Sequence, residues 1–255
     1  MEGDLSALLS GAAGFLIDLD GTLVSGRTVL PDAHWLLQEV GERFVLVSNN
    51  SEHTPEQLSR HLRQIGLQIP PERMVLAGTT ALGHIAKGQP GARVLLLGSP
   101  ALRAHARQIG LELVEDHADV VLVTRDRRFT YQRLAQAARA VASGARLVVA
   151  CPDRNHPGPR GQPVPEAGAL GLAVAAAGGA ERYEIIGKPE PLLFELGCAR
   201  LGIAPSDGLM IGDNAETDGA GALRLGMGFL QVRKGLIRTA LARPAPAPHQ
   251  EAAIA

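Results

Sequence analysis

Short apolar runs alternate along this chain with longer stretches in which apolar residues recur at helical spacing. A short apolar run that is rich in β-branched residues and bounded by turn residues indicates a buried strand. Strands that alternate with helices are typical of βαβ units, so the pattern predicts an α/β fold with a doubly wound parallel sheet. The predicted strands lie near residues 15–17, 44–47, 74–76, 93–97, 119–123, 146–150 and 229–232.

Three of the predicted helices carry clear sequence signals. Thr54, Pro55 and Gln57 have the spacing of a capping box with proline at the first helical position. Thr130 is the predicted N-cap of a helix whose apolar face comprises Leu134, Ala137, Ala138 and Val141. A third helix is predicted to start at Pro189, with one face made of Leu192, Leu193, Leu196 and Ala199.

The order of the elements divides the chain into two units. Residues 1–88 and 184–255 are predicted to form a Rossmann-like core with a parallel sheet, and residues 89–183 a smaller α/β domain inserted into it. The turn at residues 88–91 is the expected hinge between them. Residues 153–162 are rich in Pro and Gly and predict a long loop, and the Pro/Ala-rich tail from Pro244 is expected to be extended or disordered.

Two pairs of carboxylates directly follow predicted strands. Asp18 and Asp20 come after residues 15–17, and Asp213 and Asp218 come after the apolar run 209–211. Ligands bind at the carboxyl ends of strands in open parallel sheets, so these four groups are expected to converge. Two like charges about 4 Å apart repel by roughly 4 kcal/mol at an effective dielectric near 20. Converging carboxylates therefore predict a cation, and their hard oxygen ligands favour Mg²⁺.

Two further strand ends carry neutral and basic polar groups. Ser48 and Asn49 offer a hydroxyl and an amide to an anion, and Lys188 follows the apolar pair 185–186. Each motif alone has an ordinary interpretation as well: a polar turn at residues 18–22, a loop before a helix cap at residues 48–51, and a solvated charge at Lys188. Their order along the chain makes the joint interpretation as one site stronger.

The four motifs, taken in their order along the chain, resemble those of the haloacid-dehalogenase-type (HAD) phosphohydrolases: Asp/Asp, Ser/Asn, Lys and Asp/Asp. The resemblance covers the chain from about residue 15 to residue 235. The resemblance implies a phosphoric monoester hydrolase. In it, Asp18 is the nucleophile that forms an aspartyl-phosphate, and Asp20 is the general acid and base. Ser48, Asn49 and Lys188 would hold the phosphoryl oxygens, since catalysis of phosphoryl transfer is mostly positioning and electrostatics.

The same resemblance implies how a metal would be held. Mg²⁺ is expected to be bound by Asp18, the backbone carbonyl of Asp20, and Asp213. Asp218 is expected to orient these ligands or hold a metal-bound water rather than ligate directly, with Thr22 and Asn214 as further supporting groups.

The inserted domain resembles the second, α/β type of cap found in the NagD-like branch of these phosphatases. That branch includes p-nitrophenyl phosphatases, nucleotidases, and pyridoxal or glycolate phosphate phosphatases. The resemblance therefore implies a substrate of the nucleoside monophosphate, pyridoxal phosphate, sugar phosphate or glycolate phosphate type. The chain departs from the branch at Val24, Ser25 and Cys151, positions that bear on substrate choice. The residues that carry the resemblance are 47–51, 127–131, 152–154 and 168–170.

Four polar residues of the cap are candidate substrate contacts: Arg128, Asp153, Arg154 and His156. Arginine suits a second anionic group because guanidinium binds carboxylate or phosphate with two hydrogen bonds. Arg127 and Arg128 have an equally good interpretation as solvated charges before a helix, and His156 as a surface residue. Cys198 is expected to be an inert core thiol, while Cys151 with His156 stays open as a less favoured nucleophile pair.

Composition excludes several other classes of function. The chain has 255 residues, a formal net charge of −1 and only 3% aromatic residues, and its basic residues are dispersed, which argues against a nucleic-acid partner. No apolar stretch reaches 18 residues and residues 1–4 do not start a signal peptide, so we expect no membrane partner and a cytoplasmic location. The expected partner is a small phosphorylated metabolite, and a homodimer through the cap stays open.

Two other functional classes remain as alternatives. A receiver-type phospho-acceptor also joins clustered Asp, Ser/Thr and Lys around Mg²⁺, but it needs neither a cap nor a leaving-group acid at Asp20. A dehalogenase shares the Asp nucleophile but attacks carbon, and it needs no metal. A degenerate binding protein is disfavoured because every catalytic position is filled.

Overall fold

The computed structural model describes residues 2–158, 161–233 and 235–237, and it contains two five-stranded parallel sheets. The tail from Pro244 lies outside these residues, so its predicted extension stays a prediction. Among the described helices, none is both long enough and apolar enough to cross a bilayer.

The first sheet forms the core and has the strand order β14-β13-β1-β4-β5. Its register places Ile17 of β1 opposite Ile211 of β13 and Leu46 of β4, so the three central strands end at one level. This alignment is what gathers the predicted strand-end motifs. The strands are β1 (Gly14–Ile17), β4 (Phe44–Ser48), β5 (Met74–Leu76), β13 (Gly208–Gly212) and β14 (Gly228–Gln231).

Apolar side chains cover both faces of the core sheet. Along β1, Leu16 joins one buried cluster, whereas Phe15 and Ile17 join a second on the opposite face. Because both faces are covered, the central strands are continuously apolar rather than alternating. The packing helices are α1 (Glu2–Gly11), α2 (Ala33–Val40), α3 (Pro55–Gln64), α4 (Ala77–Gly88), α8 (Leu192–Leu201) and α9 (Ala220–Arg224).

The second sheet forms the inserted cap and has the order β12-β9-β8-β6-β7, with parallel pairing throughout. Its strands are β6 (Arg93–Leu97), β7 (Glu112–Leu113), β8 (Val120–Val123), β9 (Arg146–Val149) and β12 (Glu184–Ile185), and its helices are α5 (Pro100–Gln108), α6 (Tyr131–Ala142) and α7 (Ala167–Gly178). Because β12 pairs with β9, the cap sheet includes residues 184–185, and the expected boundary at residue 184 is two residues early.

Two short antiparallel hairpins were not predicted from the sequence. One pairs β2 (Val24–Ser25) with β3 (Thr28–Val29) just after the first carboxylate motif. The other pairs β10 (Asn155–Pro157) with β11 (Pro163–Pro165) inside the segment predicted to be a long loop. Strands of two or three residues with a proline or a single apolar position carry too little periodicity to be recognised.

The helix signals were confirmed at two of three places. Thr54 forms the complete capping box with Gln57, and the Thr130 side chain accepts a hydrogen bond from the backbone of Arg133. The expected face of α8 was wrong, because the helix begins at Leu192 and Leu196 is exposed. The buried residues of α8 are Leu193, Phe194, Gly197 and Cys198.

Gly168 at the start of α7 allows the close approach of the chain segment that follows β9. A Cβ atom at this position would lie 2.2 Å from the backbone oxygen of Pro152. We therefore expect Gly168→Ala to lower the free energy of unfolding by about 1–3 kcal/mol, the range for overpacking. Gly83→Ala in α4 is the matched control, since nothing lies within 4 Å of its added Cβ. In urea unfolding, Gly83→Ala should raise the free energy of unfolding by about 0.5–1 kcal/mol, because alanine favours the helix over glycine. Equal effects of Gly168→Ala and Gly83→Ala on this free energy would contradict the packing argument.

Candidate active site

The carboxyl ends of β1, β4 and β13 bring three of the sequence motifs together. Asp18 follows β1 directly, and its backbone amide donates to the Ile211 carbonyl of β13 at 2.9 Å. Ser48 ends β4 on the other side of β1, and Asp213 follows β13. Adjacent parallel strands that end at one level therefore form the floor of the site, as expected for this class of sheet.

Lys188 lies at the centre of this floor and is only 2% exposed. Its Nζ is 2.6 Å from Asp18 Oδ1 and 2.7 Å from Asp218 Oδ1, and it donates to the Val47 backbone oxygen at 2.9 Å. Burial alone would lower the lysine pKa, but the two carboxylates outweigh it and hold the pKa of Lys188 above its usual value. The interpretation of Lys188 as a surface charge is wrong.

Asp18 is buried and engaged at both carboxylate oxygens. Oδ1 meets Lys188, and Oδ2 accepts a hydrogen bond from Thr22 Oγ1 at 3.1 Å. Burial raises the pKa of Asp18 to about 8, because the neighbouring Lys188 only partly offsets the desolvation and Asp218 adds a second negative charge. The single ammonium of Lys188 thus pairs with two buried carboxylates, those of Asp18 and Asp218, so the ionised forms of the three groups carry one excess negative charge.

Asp213 and Asp218 are held by the turn that follows β13. The segment Ala215–Gly219 is a π-helical turn, a form often found at functional sites. Asn214 caps this turn through its side chain, and its backbone amide donates to Asp218 Oδ2 at 3.2 Å. Asp218 thereby faces Lys188, while Asp213 is left partly exposed on the cleft side.

The carboxylates fit a divalent cation. One oxygen from each of Asp18, Asp213 and Asp218 lies within 4.8 Å of the others. Burial, with Asp218 nearby, raises the pKa of Asp213 to about 6, a sign of negative charge that the protein itself does not balance. Gly21 adopts a φ of +89°, and a Cβ atom there would lie 2.0 Å from Asp213 Oδ2. The backbone after Asp20 therefore comes close to the carboxylate group, as a site with a backbone ligand requires.

Asn49 joins three parts of the site through its side-chain amide. Its Oδ1 accepts from the Lys188 backbone amide at 2.7 Å, and its Nδ2 donates to the Lys188 carbonyl and to Asp153 Oδ2, both at 3.0 Å. The Ser48 hydroxyl is buried and accepts from the Asn50 backbone amide at 3.1 Å. The Asn49 side chain thus positions Lys188 and the cap, and the role of Ser48 and Asn49 in holding phosphate stays a prediction.

Asp20 projects into the cleft between core and cap, where its side chain meets solvent but is surrounded by protein groups. Loss of bulk water raises the pKa of Asp20, and the nearby His156, Lys188 and Arg125 only partly oppose this shift. A carboxyl group with a raised pKa and access to the cleft is better suited to donate a proton than a carboxyl group in bulk water.

The cap contributes two of its four predicted residues to the cleft. Asp153 bonds Asn49, and His156 acts on Asp20 and lies 2.7 Å from Glu166, measured from Nδ1 to Oε1. Arg128 and Arg154 are exposed, and no described side-chain contact brings them into the cleft. Their predicted role as substrate contacts has no support in this geometry.

Three charged residues of the cleft were missed from the sequence. Arg125 Nη1 lies 3.1 Å from Glu52 Oε2 and 3.4 Å from Glu166 Oε1, and its backbone amide donates to the Ser51 carbonyl and hydroxyl. Arg125 comes just after β8, so the rule that polar residues at strand ends gather could have found it. Glu52 and Glu166 sit in loops and carry no such signal.

Cys151 does not have the properties of a nucleophile. Its side chain is fully buried, and burial together with Asp153 and Glu166 raises the thiol pKa well above its usual value. Since the thiolate is the reactive form, the alternative of a Cys151–His156 pair loses its chemical basis. Cys198 is also buried, as predicted.

Comparison with known proteins agrees with this geometry. Residues 15–112 match the family model described as haloacid dehalogenase-like hydrolase, and residues 185–254 match one described as HAD-hydrolase-like. An acid sugar phosphatase from Staphylococcus aureus is 33% identical over 226 residues, which span 87% of this chain and 86% of that protein.

Solved structures show the same likeness. A 4-nitrophenylphosphatase from Thermotoga maritima is 30% identical with a TM-score of 0.83, covering 89% of this chain and 88% of its own. A glycerol phosphate phosphatase from Mycobacterium tuberculosis in complex with magnesium is 32% identical with a TM-score of 0.81, covering 89% and 70%. NagD from Escherichia coli has a TM-score of 0.79 at 23% identity over 88% of this chain and 89% of its own, a likeness of fold alone.

The chain belongs to the haloacid dehalogenase-like hydrolase family. Within it, the protein is a phosphatase, a phosphoric monoester hydrolase, with the capped architecture of NagD and the nitrophenyl phosphatases. The expected family, its NagD-like branch and the α/β fold class are thereby confirmed.

Asp213 provides a test of the electrostatics that does not depend on activity. Its pKa rises from 3.8 to about 6 on folding, so the folded protein keeps a proton that the unfolded chain releases. Stability then falls as pH rises from about 4 to 6 and stays lower above that range. We expect Asp213→Asn to raise the Tm of the metal-free protein at pH 7.5 by about 2–4 °C, the shift for roughly 1 kcal/mol, but to change it little at pH 4.

Thermal unfolding with excess Mg²⁺ completes this test. Ligand that binds only the folded state raises Tm, and the Asp213→Asn variant should lose most of that rise. Asp116→Asn, on the exposed surface of the cap, is the matched control and should behave like the parent protein in both measurements. A lower Tm for Asp213→Asn at pH 7.5 without metal would contradict the argument.

Proposed function

We propose that this phosphatase hydrolyses phosphate monoesters of small metabolites with Mg²⁺, through an aspartyl-phosphate on Asp18. The observation that supports this most is the arrangement of Asp18 between Lys188 and the Asp213 carboxylate, with Asp20 facing the cleft. Such an arrangement combines a fixed nucleophile, a cationic partner and a proton donor, which is what phosphoryl transfer requires.

In the proposed first step, an Asp18 carboxylate oxygen attacks phosphorus and forms a phosphorus–oxygen bond as the ester bond breaks. The Asp20 carboxyl donates its proton to the departing ester oxygen, which leaves as an alcohol. Lys188 fixes Asp18 in place and favours its ionised form, the one that attacks, because its ammonium lies 2.6 Å from Oδ1. Thr22 restricts the other oxygen of the same carboxylate.

In the proposed second step, water attacks the phosphorus of the aspartyl-phosphate, and Asp20 accepts a proton from this water. The bond between Asp18 and phosphorus breaks, inorganic phosphate leaves, and both aspartates return to their starting forms. The cap covers the cleft through the Asn49–Asp153 hydrogen bond and the Arg125–Ser51 backbone contact, which favours exclusion of bulk water.

The cation in this proposal would be held by Asp18, Asp213 and the backbone carbonyl of Asp20, with Asp218 kept for Lys188. When bound, Mg²⁺ supplies positive charge that offsets the nucleophile and the phosphoryl oxygens. The magnesium complex of the glycerol phosphate phosphatase supports the choice of metal. Ser48 and the Lys188 ammonium remain the proposed partners of the phosphoryl oxygens.

Metal removal is the first test of this function. We expect hydrolysis of p-nitrophenyl phosphate to fall by at least about 100-fold after exhaustive chelation, since the carboxylate cluster then repels the phosphate. Activity should return with Mg²⁺. Asp18→Asn should abolish both turnover and the trapped phosphoenzyme. Full activity without metal would sink the proposed role of the cation.

The role of Asp20 is tested by leaving groups of different basicity. A general acid contributes about 10²–10⁴-fold to rate, and Asp20→Asn should lose this for alkyl phosphates, whose alkoxide needs a proton. p-Nitrophenol needs little protonation, so the rate of phosphoenzyme formation from its phosphate, measured in the burst phase, should fall much less. Equal losses of this first-step rate for both kinds of ester would remove the acid role from Asp20.

A further inference from the structure

A group of charged residues faces Asp20 from across the cleft. We call Arg125, His156 and Glu166 the cap cluster; it also reaches Glu52 of the core. Glu166 Oε1 lies 2.7 Å from His156 Nδ1 and 3.4 Å from Arg125 Nη1, and Arg125 Nη1 lies 3.1 Å from Glu52 Oε2. Glu166 and Glu52 have side chains only 13% and 15% exposed, so they are fixed parts of the cleft wall.

The cations of this wall are already engaged. The Arg125 guanidinium lies between two carboxylates, and its side chain is 20% exposed. Lys188 is engaged by Asp18 and Asp218 in the floor. Arg127 is 74% exposed and lies at the rim, 3.7 Å from Glu52 Oε1. Each of Arg125, Lys188 and Arg127 therefore already has a carboxylate partner, with which a second anionic group on a substrate would have to compete.

Carboxyl groups outnumber the cations of the cap cluster even without Asp20, which is protonated in the proposed first step: Asp153, Glu166 and Glu52 lie there with Arg125 and His156. Burial raises the pKa of Glu166 to about 7, the negative charges of Asp153 and Glu52 add to this rise, and Arg125 opposes it. Like charges that are brought together in a binding site disfavour the partner that carries them.

We propose that the cap cluster makes this enzyme selective for phosphate esters whose leaving group is uncharged and rich in hydroxyls, and that Glu166 rejects leaving groups with a second anion. This inference rests on the proposed function and narrows its substrate class to polyol and sugar phosphates, against carboxylated esters of the glycolate phosphate type. Carboxylate and imidazole groups accept and donate hydrogen bonds to hydroxyls, so the same wall that repels an anion suits a polyol.

Matched pairs of esters test this selectivity. Glycerol 3-phosphate and 3-phosphoglycerate differ in one hydroxymethyl group that is a carboxylate in the second, and glucose 6-phosphate and 6-phosphogluconate extend the comparison to larger leaving groups. Each is measured as a competitive inhibitor of p-nitrophenyl phosphate hydrolysis at pH 8, where Glu166 is ionised, with Mg²⁺ present. We expect the uncharged member of at least one pair to compete about tenfold better than its carboxylated partner.

Two variants with different expected effects separate charge selection from damage to the fold. Glu166→Gln removes the negative charge and leaves Arg125 with Glu52 as its remaining carboxylate partner, so the preference should shrink to about threefold or less. Arg125→Gln removes a positive charge from the wall, so the preference should not shrink. Each result is a ratio of two inhibition constants in one variant, so a change in turnover of the reporter cancels. Glu181→Gln, an exposed cap position before β12 and away from the carboxyl ends of the cap strands, should leave the ratio unchanged.

The outcomes are decisive in both directions. A preference for the uncharged esters that shrinks in Glu166→Gln and does not shrink in Arg125→Gln supports the proposal. Equal competition within both pairs, a preference for the carboxylated members, no competition at all, or a ratio that Glu166→Gln leaves unchanged overturns it. The proposed phosphatase chemistry fails separately, if the parent protein with Mg²⁺ does not hydrolyse p-nitrophenyl phosphate.

Discussion

The buried ammonium of Lys188 between Asp18 and Asp218 is the interaction on which the site depends. It lets two carboxylates stay close together in a position with little water, where an unpaired charge would be strongly unfavourable. Burial raises the pKa of Asp18 and of Asp213, and the negative charge of Asp218 adds to both shifts, so the floor is suited to a cation. A single lysine thereby sets the position of Asp18, the proposed nucleophile.

The core sheet supplies the geometry that this interaction needs. β1, β4 and β13 are parallel neighbours that end at one level, so Asp18, the Val47 carbonyl and the segment before Asp218 surround the lysine. Lys188 itself arrives from the cap, directly after β12, and Asn49 binds its backbone on both sides. The floor therefore takes Lys188 from the segment that leaves the cap sheet, because the chain passes through the whole cap before it returns with this residue.

The cap has a separate role in the proposed function. There the floor would bind the groups that every phosphate ester shares, and Arg125, His156 and Glu166 would face the portion of a substrate that differs between esters. Sequence reasoning named Asp153 and His156, which contact this wall, together with Arg128 and Arg154, which are exposed, but it did not name Arg125. Arg125 lies just after β8, where its backbone amide is held by Ser51, whereas Arg128 lies three residues further along the chain.

The sequence by itself determined the α/β class, the strands of both sheets apart from the two-residue strands β7 and β12, the order of the four motifs and the residues of the floor, because these depend on local periodicity and on strand ends. The tertiary structure alone decided that Lys188 is buried, that Asn49 is a positioning residue and that residues 184–185 belong to the cap sheet. It also decided the charge balance of the cleft. Ion pairs such as Arg125–Glu52 and Arg125–Glu166 join residues far apart in the chain, and no local pattern can indicate which charges meet and which remain in excess.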